Sequence, residues 1–277
     1  MASTPFKSNS QLIAETVGES LSKKTKVPPV YDGNAYVSHG PPKALLVDLD
    51  DTIVTDDAVS EITWRAVCRR FAPLVGNISA NTLHAIIRNV AKRYWGDEEN
   101  HRKGRLSLAT TRRELVRLAL REVGLSDDRL ADKISDTYTA EKELAVTLIP
   151  GAVKTLRSFK DIGVRLALVT NGGADAQRRK IAKFGLNSIF DFILIEGEFG
   201  IGKPHASVFT TAMGKLCVVA SETWMVGDDL ERDIAGAQGL GIYSIWVDWR
   251  GSGLPVSSVI QPDRIVGNLT QLTGSLS

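Results

Sequence analysis

The sequence predicts an α/β protein: a doubly wound parallel sheet covered by helices, with an α-helical bundle inserted after its first strand. Three observations carry this expectation. Short apolar runs without polar alternation recur in 43–56 and 149–277, as in strands buried on both faces. Helix-like stretches follow most of them over short connections, the order that builds strand–helix–strand crossovers. The intervening block, 57–148, keeps helical spacing and contains no convincing strand.

Residues 1–42 read as an N-terminal extension, partly flexible. Lys23, Lys24 and Lys26 cluster there, and Pro28-Pro29 and Pro41-Pro42 break regular structure. One short helix over 10–21 would put Leu12, Ile13 and Val17 on a single stripe. The first strand is Leu45-Leu46-Val47, and it ends abruptly at Asp48, Asp50, Asp51 and Thr52.

In the bundle, Ile62, Ala66, Val67 and Phe71 mark one helix, and Leu83, Ile86, Ile87 and Val90 another. Leu115, Leu118 and Leu120 mark a third, opened by Ser107 or Thr110. Leu130, Ile134 and Tyr138 mark a fourth. The basic run His101-Arg102-Lys103-Gly104-Arg105 reads as a solvated loop.

After Pro150-Gly151 strands and helices alternate. Helices are expected over 153–159, over 177–184 and after Pro204, with another over 234–238. Strands are expected over 164–169, ending at Thr170-Asn171-Gly172, and at Phe192–Ile195. Two more follow, over 224–226, ending at Gly227-Asp228-Asp229, and over 242–247.

Composition narrows the function. The 277 residues, 43% hydrophobic, suffice for one large domain or two modest ones. Thirty-four Lys and Arg against 32 Asp and Glu give a net charge of +2, which offers no global attraction to nucleic acid or membrane. Cys68 and Cys217 lack metal-ligand spacing and read as reduced thiols. No apolar run approaches the ~18 residues of a membrane span, and the N-terminus lacks the apolar core of a secretory signal. A soluble cytoplasmic protein, monomer or homodimer, is expected.

The chemistry gathers at strand ends. In a parallel sheet these share one edge, where ligands bind. Asp48 and Asp50 follow the first strand, Thr170 and Asn171 the second, and Asp228 and Asp229 a later one. Lys203 lies before a helix in Gly202-Lys203-Pro204. Crowded carboxylates repel one another unless a cation neutralises them, and hard oxygen donors suit Mg²⁺. A hydroxyl, an amide, a fixed ammonium and a carboxylate-bound cation are what a phosphoryl group requires. Each residue also has a plainer reading: a solvated acidic turn, a surface lysine, a threonine that caps a turn. Asp229 fits a helix N-terminus and His205 a first-turn or rim position.

Taken together, the four segments resemble the signature motifs of the haloacid dehalogenase superfamily. Asp48-Leu49-Asp50-Asp51-Thr52 is similar to the first motif, Thr170 with Asn171-Gly172 to the second, Lys203 to the third, and Gly227-Asp228-Asp229-Leu230-Glu231-Arg232-Asp233 to the fourth. The resemblance implies a Rossmann-like core at 43–56 and 149–277, with 57–148 as a helical cap. It implies that Asp48 is the nucleophile and Asp50 the general acid and base. Mg²⁺ would be held by Asp48, the backbone carbonyl of Asp50, and Asp228. Thr170, the Asn171 backbone and Lys203 would bind the phosphoryl group, and Asp233 would orient the metal site or Lys203. Members that cleave carbon–halogen bonds usually lack the second Asp of the first motif, so Asp50 favours hydrolysis of a small phosphorylated metabolite. Asp51 stands where the family most often has Gly. A phosphomutase of the same superfamily, or a non-catalytic binding protein on this fold, are the alternatives.

Overall fold

The computed structural model describes residues 41–275. Most of the expected extension, with its helix over 10–21, lies outside them. The described chain divides into two compact units: Asp56–Thr147 on one side, and 41–55 with 148–275 on the other.

The first strand, β1 (Ala44–Val47), is fully buried. The unit that follows it in sequence holds five helices: α1 (Asp57–Val75), α2 (Ala80–Trp95), α3 (Glu98–Leu106), α4 (Leu108–Glu122) and α5 (Asp128–Ala145). The apolar stripes of α1, α2, α4 and α5 close around Trp64, Phe71, Leu83, Ile87, Leu115, Leu120, Ile134 and Tyr138. Trp64 stacks on Tyr138 with ring centroids 3.9 Å apart, and the tyrosine hydroxyl shares a 2.6 Å hydrogen bond with Ser60. Ser79, Asp97 and Asp127 cap α2, α3 and α5 by accepting from Thr82, Asn100 and Leu130 backbone N–H groups. Ser107 precedes α4 without a side-chain capping bond.

One expectation fails here. The basic run 101–105 is helix α3, not a loop. Its order comes from polar terms that leave no apolar stripe: the Asp97 cap, Glu98 and Glu99 in the first turn, and Lys103 and Arg105 in the last. Glu99 also pairs with Arg102 at 2.8 Å and Lys103 at 3.0 Å. Gly104 sits where a Cβ would lie 2.8 Å from the Trp95 ring, so the helix packs on α2 through a bare backbone.

The second unit is the α/β layer. Six strands of the described residues run parallel in one sheet. After α6 (Ala152–Asp161) and β2 (Arg165–Thr170) come α7 (Ala174–Lys183) and β3 (Phe192–Ile195). The short α8 (Glu196–Phe199) and α9 (Ala206–Lys215) lead to β4 (Thr223–Gly227). A wide π turn, Leu230–Ala235, runs directly into α10 (Gly236–Gln238), where sequence spacing predicts one helix over 234–238. β5 (Tyr243–Val247) and the three-residue β6 (Arg264–Val266) complete the sheet, whose order is β3-β2-β1-β4-β5-β6.

Side chains alternate across the sheet as pleating requires. Ala44 and Leu46, Ala167 and Val169, Leu194 and Met225 pack on Val208, Phe209, Ala212 and Met213 of α9. α6 packs on β2 and on the C-terminal 3₁₀ helix Leu269–Ser275. β1 lies between β2 and β4, so strand order reverses there, and the carboxyl end of β1 opens at the switch point of the sheet.

Candidate active site

β1 ends in register with Leu168 of β2 and Val226 of β4. Asp48 follows at once, its N–H donating to the Val226 carbonyl at 2.9 Å. The chain then turns back on itself. Ile53 and Val54 donate to the Leu49 carbonyl, Asp51 donates to Val54, and Leu49 and Ile53 are buried beneath. Asp51 takes a left-handed φ of 54°, which explains an aspartate where glycine is commonest: the short polar side chain tolerates that conformation.

Lys203 is the electrostatic centre. Its ammonium is 2% exposed and lies 2.6 Å from Asp48 Oδ1 and 2.6 Å from Asp233 Oδ1. Its backbone is clamped by the Asn171 amide, which accepts from Lys203 N–H and donates to Lys203 C=O, both at 2.8 Å. Gly202 is required beside this clamp, because a Cβ there would stand 2.6 Å from Glu196. Glu196 in turn accepts from Gly172 N–H at 2.9 Å and holds the loop after β2.

Asp228 follows β4, and its carbonyl accepts from the Trp246 indole at 2.7 Å. Asp233, on the π turn, accepts from Asp229 N–H through Oδ2 at 3.1 Å. Asp229 caps the turn, accepting from Glu231 and Arg232 N–H, and pairs with the Arg232 guanidinium. His205 is likewise a cap, accepting from Ser207 N–H.

Carboxylate oxygens of Asp48, Asp228 and Asp233 lie within 4.8 Å of one another, a group able to hold a metal ion. Burial raises the Asp48 carboxyl to about 7; Lys203 opposes the rise, while Asp233 and Asp50 add to it. Burial, then repulsion from Asp48, Asp233, Asp51 and Asp229, pushes Asp228 up to about 10. Burial raises Asp233 as well, against the pull of Lys203. Lys203 itself would be lowered by burial, but Asp233 and Asp48 hold it above its ordinary value. One ammonium does not balance three carboxylates. The oxygen-only donors and their uncompensated charge fit a hard divalent cation.

Asp50 faces a different set of groups. Its Oδ2 accepts from Gln177 Nε2 at 3.0 Å, and its Oδ1 lies 2.6 Å from the Lys180 ammonium. Gln177 Nε2 also reaches Thr170 Oγ1 at 2.7 Å and the Asn171 carbonyl at 3.1 Å. All these residues belong to one unit of the chain. Gln177, Lys180, Glu196 and Trp246 are not marked by the sequence reading. Gln177 and Lys180 are spaced as helical neighbours just after Thr170-Asn171-Gly172, but that spacing alone does not show that Asp50 faces them.

Known proteins place the chain in context. A family model for haloacid dehalogenase-like hydrolases matches residues 42–241. Phosphoserine phosphatase of Thermus thermophilus is 32% identical over 247 residues, 83% of this chain and 97% of that protein. Glyceraldehyde 3-phosphate phosphatase of Methanocaldococcus jannaschii is 28% identical over 207 residues, 73% of this chain and 83% of that one. N-acylneuraminate-9-phosphatase of Rattus norvegicus is 37% identical over 114 residues, covering 41% and 46%. Among solved structures, the magnesium-bound HAD-hydrolase YfnB from Bacillus subtilis superposes with a TM-score of 0.66 at 23% identity, covering 86% and 99%. A 2-haloacid dehalogenase from Pseudomonas syringae does so with 0.57 at 28% identity, covering 85% and 98%. The chain thus resembles relatives named as phosphatases and a solved structure named as a dehalogenase, and the choice of chemistry rests on the site.

Proposed function

The chain belongs to the haloacid dehalogenase-like hydrolases, and from that premise we propose a Mg²⁺-dependent phosphatase of small phosphorylated metabolites that works through an aspartyl-phosphate. The observation that supports it is Asp50, a second carboxylate two residues beyond Asp48, beside Thr170 through the Gln177 amide. Carbon–halogen cleavage leaves a halide that needs no proton. Loss of an alkoxide does, and in this reading Asp50 supplies it.

Each residue has a definite task in this reading. An Asp48 carboxylate oxygen bonds to phosphorus as the ester P–O bond breaks, and Asp50 protonates the departing alkoxide. Water then attacks phosphorus, Asp50 takes its proton, and the bond to Asp48 breaks, returning the carboxylate and releasing phosphate. Thr170 Oγ–H, the Asn171 backbone and Lys203 bind the phosphoryl oxygens and offset the charge that builds during transfer. Asp48, the Asp50 carbonyl and Asp228 would hold Mg²⁺; Asp233 is taken up by Lys203 and Asp229 N–H, and orients the group. When bound, the cation lowers the repulsion between nucleophile and anionic substrate.

Two relatives matched along most of their length are named for phosphoserine and glyceraldehyde 3-phosphate, so short polar phosphate esters are the leading substrate class. Two unpaired cysteines suit a reducing cytoplasm. Phosphate release from a panel of phosphorylated amino acids, trioses and sugars, with Mg²⁺ and with chelator, tests the reading. Metal-dependent turnover is expected for at least one short ester. Turnover undiminished by chelator would overturn the metal-dependent reading.

A further inference from the structure

Gln177 and Lys180 have no part in the chemistry described above, yet both touch its acid and base. They stand one helical turn apart on α7 and reach back to a residue more than 125 positions earlier, so neither contact is a local helix pair. Gln177 is 3% exposed, and its amide nitrogen meets only site atoms: Asp50 Oδ2, Thr170 Oγ1 and the Asn171 carbonyl. An amide offers two hydrogens to these three acceptors, so it ties them into one shared set. By donating to Thr170 Oγ1, it occupies a lone pair, and the threonine proton, on a long 3.4 Å bond to the Asn171 carbonyl, is free to turn to a phosphoryl oxygen.

Lys180 takes the other oxygen of the Asp50 carboxylate, and its side chain is 21% exposed. An exposed ion pair is worth little, but this one fixes an orientation. With Gln177 on Oδ2 and Lys180 on Oδ1, rotation of the carboxylate is blocked. Each oxygen keeps a second lone-pair direction for the reaction.

We propose that Gln177 and Lys180 are positioning residues. Gln177 couples the acid–base carboxylate to the phosphate-binding threonine, and Lys180 locks the face that carboxylate turns to the leaving group. The inference rests on the phosphatase reading, and it separates from it by leaving-group dependence. An alkoxide needs a proton as it departs, whereas p-nitrophenolate does not.

The test compares kcat/KM for the alkyl ester of the panel that wild type turns over best with that for p-nitrophenyl phosphate, in wild type, Gln177→Ala, Lys180→Met, Lys180→Arg and Asp50→Asn. General acid catalysis contributes ~10²–10⁴-fold. Lys180→Met is expected to lose ~10–100-fold on the alkyl ester, mostly in kcat, and less than ~3-fold on the aryl ester; Gln177→Ala, which also releases Thr170, loses on both, but ~10-fold more on the alkyl ester. Lys180→Arg should restore most of the loss. Equal losses on both esters, or none, overturn the inference while leaving the phosphatase reading intact if Asp50→Asn is selective for the alkyl ester. Lys180→Met, at a partly exposed position, decides the matter if Gln177→Ala does not fold. Loss of selectivity in Asp50→Asn itself, or no turnover of any ester of the panel by wild type, sinks the reading and the inference together.

Discussion

At the residue scale the site is a problem in burying like charges. Asp48, Asp228 and Asp233 crowd one end of the sheet, and Lys203 is buried between two of them. Removing one partner of a buried pair leaves an uncompensated charge and costs ~3–5 kcal/mol. Lys203→Met should therefore lower metal-free stability in urea by about that amount, with part of the loss recovered on adding Mg²⁺. Unchanged stability would show that the lysine carries no structural load. Gly227 is the second sensitive point, since a Cβ there would lie 2.2 Å from Asp233 Oδ2. Gly227→Ala must displace Asp233 or the end of β4, at ~1–3 kcal/mol, and turnover should fall with it. Full activity at wild-type stability would contradict the packing described. The sequence makes these carboxylates and Lys203 legible because each sits at a strand end or helix start. Gln177 and Lys180 escape that reading. They lie inside a helix, and nothing in their own segment reveals that Asp50 faces them.

At the scale of elements, polar anchors hold strands and helices where apolar patterning is thin. Asp191 accepts from Leu166 N–H of β2 at 2.8 Å and pairs with Lys160 of α6 at 2.9 Å. Burial pushes its carboxyl up, but the Leu166 N–H and Lys160 outweigh that and leave it below the ordinary 3.8. A depressed carboxyl stabilises the fold above its unfolded value and loses that contribution as pH falls through the folded one. Asp191→Asn should thus be less stable than wild type above about pH 4, with the gap closing as acid titrates wild type. A gap independent of pH would assign the effect to packing. Phe209 of α9, fully buried on the sheet, marks the apolar counterpart: Phe209→Ala should cost ~3–5 kcal/mol. The same contrast explains which elements the sequence reveals. Helices with an apolar stripe are legible, as α2 and α4 show. Helix α3 is not, because its cap, its dipole-matched ends and its Glu99 pairs leave a segment that looks like a solvated loop.

At the scale of the whole molecule, the parallel sheet was readable from apolar runs and short connections, because strands buried on both faces cannot afford polar alternation. The short β6 was not readable, since three residues carry no period. The two cysteines report on the two units separately. Cys217 is exposed in the α/β unit, whereas Cys68 is buried in the helical core, its thiol raised to about 12 by burial and then by Glu61. A thiol reagent should label one site rapidly in the folded protein. The second should react only as the helical unit opens, at a rate that rises with denaturant. Two fast sites in native buffer would contradict that packing.

If the proposed mechanism holds, Asp48 carries the phosphoryl group during turnover, and trapping it there is the sharpest test. Wild-type protein is mixed with a turned-over phosphate ester and Mg²⁺, quenched in acid within a turnover, digested, and read by peptide mass spectrometry. A phosphate is expected on the peptide that holds Asp48, absent in Asp48→Asn. Turnover without that adduct, or with Asp48→Asn still active, would contradict it.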